Sequence, residues 1–268
     1  MSTERASRIG LRTLALGYLA ALLFVPVGVV LWRTFEPGLD SVWASITTPA
    51  AIHAFWLTIS VTAIAVPLNT VLGILAALVL VRSRFPGRRL MDAVIDLPFA
   101  ISPIVVGLAL ILLYGSSGWF GPALTDLGIQ VIFSFPGIVL ATIFVTVPFV
   151  VREVVPVLRE VGDEQEQAAA TLGASRAQIF RRITLPAIRW GIAYGVVLST
   201  ARAIGEFGAV SVVSGRIAGQ TETLTLLVEK RYENFDLAGA YAASALLAVI
   251  ALATLLAMTV IKPRKEHA

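Results

Sequence analysis

The sequence predicts an all-α integral membrane protein of six transmembrane helices, and three observations carry that prediction. The 268 residues are 57% hydrophobic and only 14% charged, whereas an ordinary soluble domain is about one-quarter charged. The apolar residues gather into long runs instead of recurring at helix or strand spacing, the pattern of segments surrounded by hydrocarbon. The basic residues fall overwhelmingly on one side of those runs. Spans are expected at about 11–32, 55–81, 90–114, 131–151, 188–212 and 237–261, each long enough for the roughly 20 residues that cross the hydrocarbon core. They form one domain, 11–262, between a short N-terminal segment, 1–10, and a tail, 263–268.

Taken in order, the first span follows Arg5, Arg8 and Arg12. Its apolar run is too long for a signal-peptide core and shows no small-residue cleavage site, so it reads as an uncleaved helix. The second leads to Arg82, Arg84, Arg88 and Arg89. The third contains "DLPFAISPIVVG", in which Pro98 and Pro103 imply a bend; Pro26, Pro67, Pro136 and Pro148 interrupt other spans. Such breaks are tolerated in lipid where neighbouring helices satisfy the freed carbonyls. Outside, "GSSGWFGPALTDLG" reads as a turn-rich loop, and Thr221–Phe235 as a short amphipathic helix that rests at the interface or receives a partner. In the fifth span "GIAYG" has the small-xxx-small spacing of close helix packing.

The bases set the direction. Arg5, Arg8, Arg12, the four arginines of 82–89, Arg152, Arg159, Arg176, Arg181, Arg182, Arg189, Lys262, Arg264 and Lys265 share one side, against Arg33, Arg216, Lys230 and Arg231 on the other. The positive-inside rule then places both termini in the cytoplasm. The net charge of +4 is therefore topological and implies no nucleic-acid partner; the partner in contact with the spans is membrane lipid.

Several function classes drop out. The chain has no cysteine, and its two histidines, His53 and His267, are far apart, so no metal cluster is expected. There is no G-x-x-x-x-G-K-[ST], H-E-x-x-H or G-x-S-x-G, so no enzyme is expected, and any nucleotide chemistry has to come from another polypeptide. A secondary transporter would show coupling-ion chemistry in a longer, internally repeated bundle.

The segment between the fourth and fifth spans, 152–187, carries more local order than a connector needs. Asp163 and Glu166 resemble a helix start. Gly173 supplies the left-handed residue that closes a helix. Ser175 and Gln178 form a second capping pattern, and Pro186 is expected to limit that helix. Ala168, Ala169, Ala170 and Ala174 offer a surface another protein can approach closely, and Phe180, Ile183 and Leu185 form an apolar edge. "EQAAATLGASRAQIFRRITLP" resembles the cytoplasmic signature of ABC-importer permeases, with Ala168, Ala169, Gly173, Ile183, Leu185 and Pro186 in register. It departs at Gln167, where the family usually has glutamate; Glu166 stands one place earlier.

The resemblance runs over most of the chain, through "RFPGRRLMDAVIDLPFAISPIVVG", "ARAIGEFGAVSVVSG" and "LVEKRYENFDLAGAYAASALLA", and is nearest to W-type permease subunits of sulfate/thiosulfate importers. The T- or U-type subunits and molybdate or tungstate permeases share the general pattern. It implies a MetI-like fold in a bacterial inner membrane, with a coupling helix between helices 4 and 5. It also implies a second, non-identical permease of the T/U type, two ATP-binding subunits and an extracytoplasmic sulfate-binding protein. This chain would bind no cofactor, ATP and Mg residing on the partner.

Asp96, Arg202 and Glu206 are the ionisable residues expected inside spans, where charge is costly. Arg202 and Glu206 are four apart and share a helix face. With Asp96 ionised the three sum to −1, a poor lining for a dianion. They are expected to form an interhelical or intersubunit clasp near the pathway, with Ser102, Ser199 and Thr200 as weak transit contacts beside the prolines at 98 and 103.

Overall fold

The computed structural model describes residues 2–261, with side chains of residues 2–9, Leu23, Leu255 and 257–261 excepted. The tail 263–268 and the bases Lys262, Arg264 and Lys265 lie outside the described residues. Secondary structure among the described residues is helical throughout. Among the described residues five helices are long and apolar enough to cross a membrane, and a bent pair makes a sixth if it is counted as one span.

Helix α1 (Ser2–Phe35) runs unbroken through Pro26. A short helix α2 (Leu39–Ile46), not foreseen in the sequence, precedes α3 (Pro49–Arg82). That span starts earlier than expected because Thr48 caps it, its side chain accepting from Ala51 N–H, and Pro49 occupies the first turn. Gly87, at φ 98°, turns the chain into α4 (Arg88–Ala100), which is followed by α5 (Pro103–Tyr114). The third span is thus not continuous: α4 and α5 meet at 113°. Pro103 has no N–H to continue the ladder, and it holds Ser102 in extended backbone. At 1.5 Å per residue each half is about 20 Å long or less, short of the ~30 Å core.

The loop after α5 contains one turn of helix, α6 (Gly121–Asp126). Helix α7 (Phe135–Val161) begins with Pro136 in its first turn, so this proline opens the helix instead of interrupting it. It continues ten residues beyond the expected end because no residue stops it before Gly162, at φ 69°. The segment expected to be a long loop is accordingly short: α8 (Glu164–Thr171), a turn at Gly173, then α9 (Arg176–Ile179). Pro186 does not end that second helix. A π-turn (Phe180–Thr184) joins α9 to α10 (Leu185–Ile204), with Pro186 in the first turn of α10. The fifth span stops at Ile204, not 212. Gly205–Phe207 breaks it, and α11 (Gly208–Val213) follows. Helix α12 (Leu224–Glu233) and the final span α13 (Leu237–Ile261) follow.

The core is the bundle of α3, α7 and α10. Val150, fully buried on α7, sits between two glycines. A Cβ at Gly73 of α3 would lie 2.7 Å from Val150 Cβ, and one at Gly195 of α10 would lie 2.8 Å from Val150 Cα. Gly191, one turn away, approaches the Glu153 carbonyl similarly, at 2.9 Å. The "GIAYG" spacing therefore serves packing inside the chain. Asn69, fully buried on α3, donates to the Ile143 carbonyl (3.1 Å) and to Thr146 Oγ1 (2.6 Å) on α7, a polar tie across the same seam. The broken helices pack on each other: a Cβ at Gly107 of α5 would meet Val212 Cβ at 2.7 Å, and one at Gly208 of α11 would meet Pro103 Cβ at 2.8 Å.

At the end opposite the base-rich loops, α12 buries Leu224, Leu226 and Leu227 within the chain, packing on α3 and α13. The amphipathic helix at 221–235 thus rests on neighbouring spans. Its first N–H, at Leu224, donates to Thr58 Oγ1 (2.9 Å) on α3. Arg231 donates to the Ser45 and Gly239 carbonyls and to Thr48 Oγ1, tying α2, α3 and α13 together.

Gly195→Leu is expected to lower stability by about 1–3 kcal/mol through overpacking against Val150. Gly28→Leu on α1, where an added Cβ meets nothing within 4 Å, should change it by no more than about 0.5 kcal/mol. Thermal unfolding of the purified protein in detergent compares the two.

Candidate functional site

Two groups of residues stand out, one at each end. At the base-rich end, α8 and α9 make a helical hairpin around Gly173, whose φ of 84° is a left-handed conformation suited to glycine. The turn is held by Ala174 N–H on the Ala169 carbonyl (3.0 Å) and Gly173 N–H on the Ala170 carbonyl (3.0 Å). Ser175 and Gln178 complete a reciprocal capping box, as their spacing predicts. Asp163 caps α8 by position only, with no side-chain hydrogen bond. At the apex Leu172 is 89% exposed. Ala168 and Ala170 are exposed beside it, Ala169 and Ala174 half-buried, and Gln167 exposed. Phe180 and Ile183 are half-buried in the π-turn and Leu185 is exposed. Leu172 is not among the site residues the sequence predicts; its exposure is visible only in the folded hairpin.

Behind this hairpin Glu166 is consumed within the chain. Its carboxylate accepts from Arg82 Nε (3.0 Å) and Nη2 (3.2 Å) at the end of α3, and from Thr184 Oγ1 (2.8 Å) in the π-turn. Arg82 also donates to the Leu158 and Gly162 carbonyls at the end of α7, at 3.3 and 2.5 Å.

The intramembrane clasp is not as expected. Asp96 is apart from Arg202 and Glu206: with Asp92 it pairs with Arg152 of α7, whose Nε donates to Asp96 Oδ1 (2.7 Å) and whose Nη2 lies 2.9 Å from Asp92 Oδ1. The bend at Ser102 turns α4 so that its acidic face meets α7; the prolines imply a bend, and its 113° size is what brings Asp96 to Arg152. Arg202 and Glu206 do pair, at 2.5 Å, although the helix has already ended between them. The other Glu206 oxygen accepts Ala209 N–H (2.8 Å), securing α11 across the break. Ser199 is fully buried, Thr200 is half-buried with its hydroxyl donating to the Val196 carbonyl, and Ser102 is exposed at the bend. Pro98 is buried and Pro103 half-buried.

Toward the opposite end two further pairs, Lys230–Glu222 (2.9 Å) and Arg216–Glu229 (3.0 Å), join Arg202–Glu206. In each the acid is the inner partner: 1% against 30% side-chain exposure for Glu206 and Arg202, and 1% against 46% for Glu222 and Lys230. A sum of charges does not register this ordering. The open faces of these pairs carry donors.

Residues 69–267 match the family described as the inner membrane component of binding-protein-dependent transport systems. The chain belongs to this family. It is 50% identical over 254 residues to the sulfate transport system permease protein CysW of Synechocystis sp., covering 95% of this chain and 92% of that protein. It is 40% identical to the sulfate transport system permease protein CysT of Salmonella typhimurium, over 91% of this chain and 88% of that one. In fold the permease superposes on a chain of a bacterial ABC transporter that imports alginate, with TM-score 0.80 at 18% identity, covering 97% and 96% of the two chains. The MetI-like permease architecture and a multi-pass membrane location follow.

Glu206→Gln leaves Arg202 without its counter-charge and weakens the tie to α11. The loss should be about 2 kcal/mol, below the value for fully buried pairs because Arg202 keeps some exposure. Arg202→Gln with Glu206→Gln should be less damaging than the sum of the single changes, read by thermal unfolding in detergent.

Proposed function

We propose that this permease is the W-type membrane subunit of an ATP-driven importer for sulfate or thiosulfate, with a T- or U-type permease as its partner in the membrane. Its relatives carry sulfate permease names of both kinds, and similarity is higher to the W-type protein than to the T-type one reported above. In this reading two ATP-binding subunits dock at the base-rich end, which is cytoplasmic together with both termini, and a sulfate-binding protein delivers the anion at the other end. This chain binds no cofactor; ATP and Mg are held by the docked subunits, consistent with its lack of a phosphate loop.

The carrying observation is the α8–α9 hairpin. An 89% exposed leucine sits on a glycine turn between α8, anchored through Glu166, and α9, opened by a capping box. A large apolar side chain fixed in that position is suited to a pocket on another protein. Gln167 lies exposed on the same hairpin, so its contribution to docking is an uncharged amide where the family's glutamate would offer a charge. When two ATP-binding subunits close on nucleotide, hairpins docked in them move, and rigid helices carry that displacement to the membrane path.

Cells lacking this subunit should take up no radiolabelled sulfate through the system, and the intact gene should restore uptake. Gly173→Pro, which cannot adopt the left-handed turn, and Leu172→Glu, which puts a charge on the knob, should each fail to restore it and should lose co-purification with the ATP-binding subunit. Full rescue by Gly173→Pro would overturn the docking role. Molybdate uptake measured in parallel decides the anion: restored molybdate uptake without sulfate uptake would reassign the permease. Because the chain has no cysteine, single substitutions report its direction. Ser175→Cys should react with a membrane-impermeant thiol reagent only in opened vesicles, and Ser117→Cys in intact cells.

A further inference from the structure

We infer that Arg82, Glu166 and Thr184 form the transmission joint of this permease: one carboxylate fastens the docking hairpin to the end of α3 and to the turn that feeds α10, and Arg82 extends the tie to α7, so that force applied to the hairpin reaches the three core spans together. This rests on the docking role proposed for the hairpin and adds what lies behind it. Glu166 belongs to α8, Arg82 ends α3, and Thr184 sits in the π-turn that feeds α10. Arg82, while holding Glu166, also caps the free carbonyls of Leu158 and Gly162 at the end of α7. Arg82 and Glu166 are about four-fifths buried, at 21% and 20% exposure, and Thr184 is 5% exposed.

Three features suit this joint to transmitting motion. An arginine that donates to a carboxylate and to two helix-end carbonyls fixes direction as well as distance, which a point charge does not. The shielded pair is screened less than a surface ion pair and keeps its geometry while the hairpin is pushed. The π-turn is an under-wound stretch in an otherwise α-helical run from Arg176 to Ile204, the kind of local irregularity that serves as a hinge. Thr184 ends that turn and is bonded to the hairpin's own acid, so the hinge cannot flex without Glu166 following. The acid of the motif region therefore faces inward here, and the exposed neighbour at 167 is left for the docking partner.

The test uses the complete reconstituted complex of both permeases, ATP-binding subunits and binding protein, and reads sulfate transported per ATP hydrolysed. Arg82→Gln, Glu166→Gln and Thr184→Val should each assemble, shown by co-purification, yet lower that ratio roughly five- to tenfold, the lower range of coupling between distant sites. Arg82→Gln combined with Glu166→Gln should be no worse than either alone, because both break one joint. Arg82→Lys should not rescue, since it keeps the charge and loses the fork. Assembled variants with the wild-type ratio would overturn the proposal, as would additive effects in the double variant. Loss of assembly in all three would also overturn it, by assigning the network to folding. If instead Leu172→Glu leaves docking intact, the docking role itself fails, whatever the joint variants do.

Discussion

The architecture depends on how closely α7 can be approached by two other helices at Val150. In lipid no hydrophobic force drives apolar helices together, so association relies on contact area, small residues and interhelical hydrogen bonds. Gly73 and Gly195 lower the walls on either side of one valine, and Asn69 adds a polar tie on the α3 side. The three helices therefore behave as one solid piece, and solid pieces transmit displacement where loosely packed ones absorb it. The hairpin and its joint at Glu166 lie at one end of this piece; the breaks in α4–α5 and α10–α11 lie along its flank.

Those breaks belong together. Pro103, which opens α5, lies against Gly208, which opens α11, and the two half-helices then run side by side with Gly107 against Val212. Both breaks thus end in one shared contact between short helices. The freed backbone is partly repaid by a side chain: Glu206 accepts the Ala209 N–H, while Thr225 of α12 donates its hydroxyl to the Glu206 carbonyl at 2.8 Å. Irregular backbone at membrane depth persists only where protein supplies such partners.

Much of this was legible in the sequence, and the failures have physical causes. Hydropathy located the spans because backbone satisfaction in lipid forces long apolar helices. Gly173 and the Ser175–Gln178 box were readable because capping is a local interaction among residues three apart. The ends of α7 and α10 were not. Charged residues such as Arg159 end a hydropathy window without ending a helix, whereas Gly205 and Phe207 end a helix within a run that stays apolar. Pro186 misled for a related reason: a proline in a first turn extends a helix, and only the π-turn before it decides which role it has. Asp96 was grouped with Arg202 because the prolines signal a bend without giving the 113° that delivers it to Arg152. The clamp at Glu166 joins residues 84 and 18 positions apart, beyond any pattern in one sequence.

The ordering of charge at the far end bears on how buried acids are tolerated in a membrane-spanning chain. A carboxylate in a low-dielectric wall repels a passing anion, and removing every acid would leave arginine and lysine uncompensated, binding the anion too firmly to release it. Pairing alone brings the net charge to zero but leaves the field dependent on which partner faces the opening. Glu206 and Glu222 are set back behind Arg202 and Lys230. The near charge at the surface is then positive and the compensating negative charge is farther off, so the potential outside is that of a dipole with its positive end outward. Such a field attracts an anion over a few ångströms and fades faster with distance than that of a free cation. It therefore favours brief contact over capture of an anion that meets these faces.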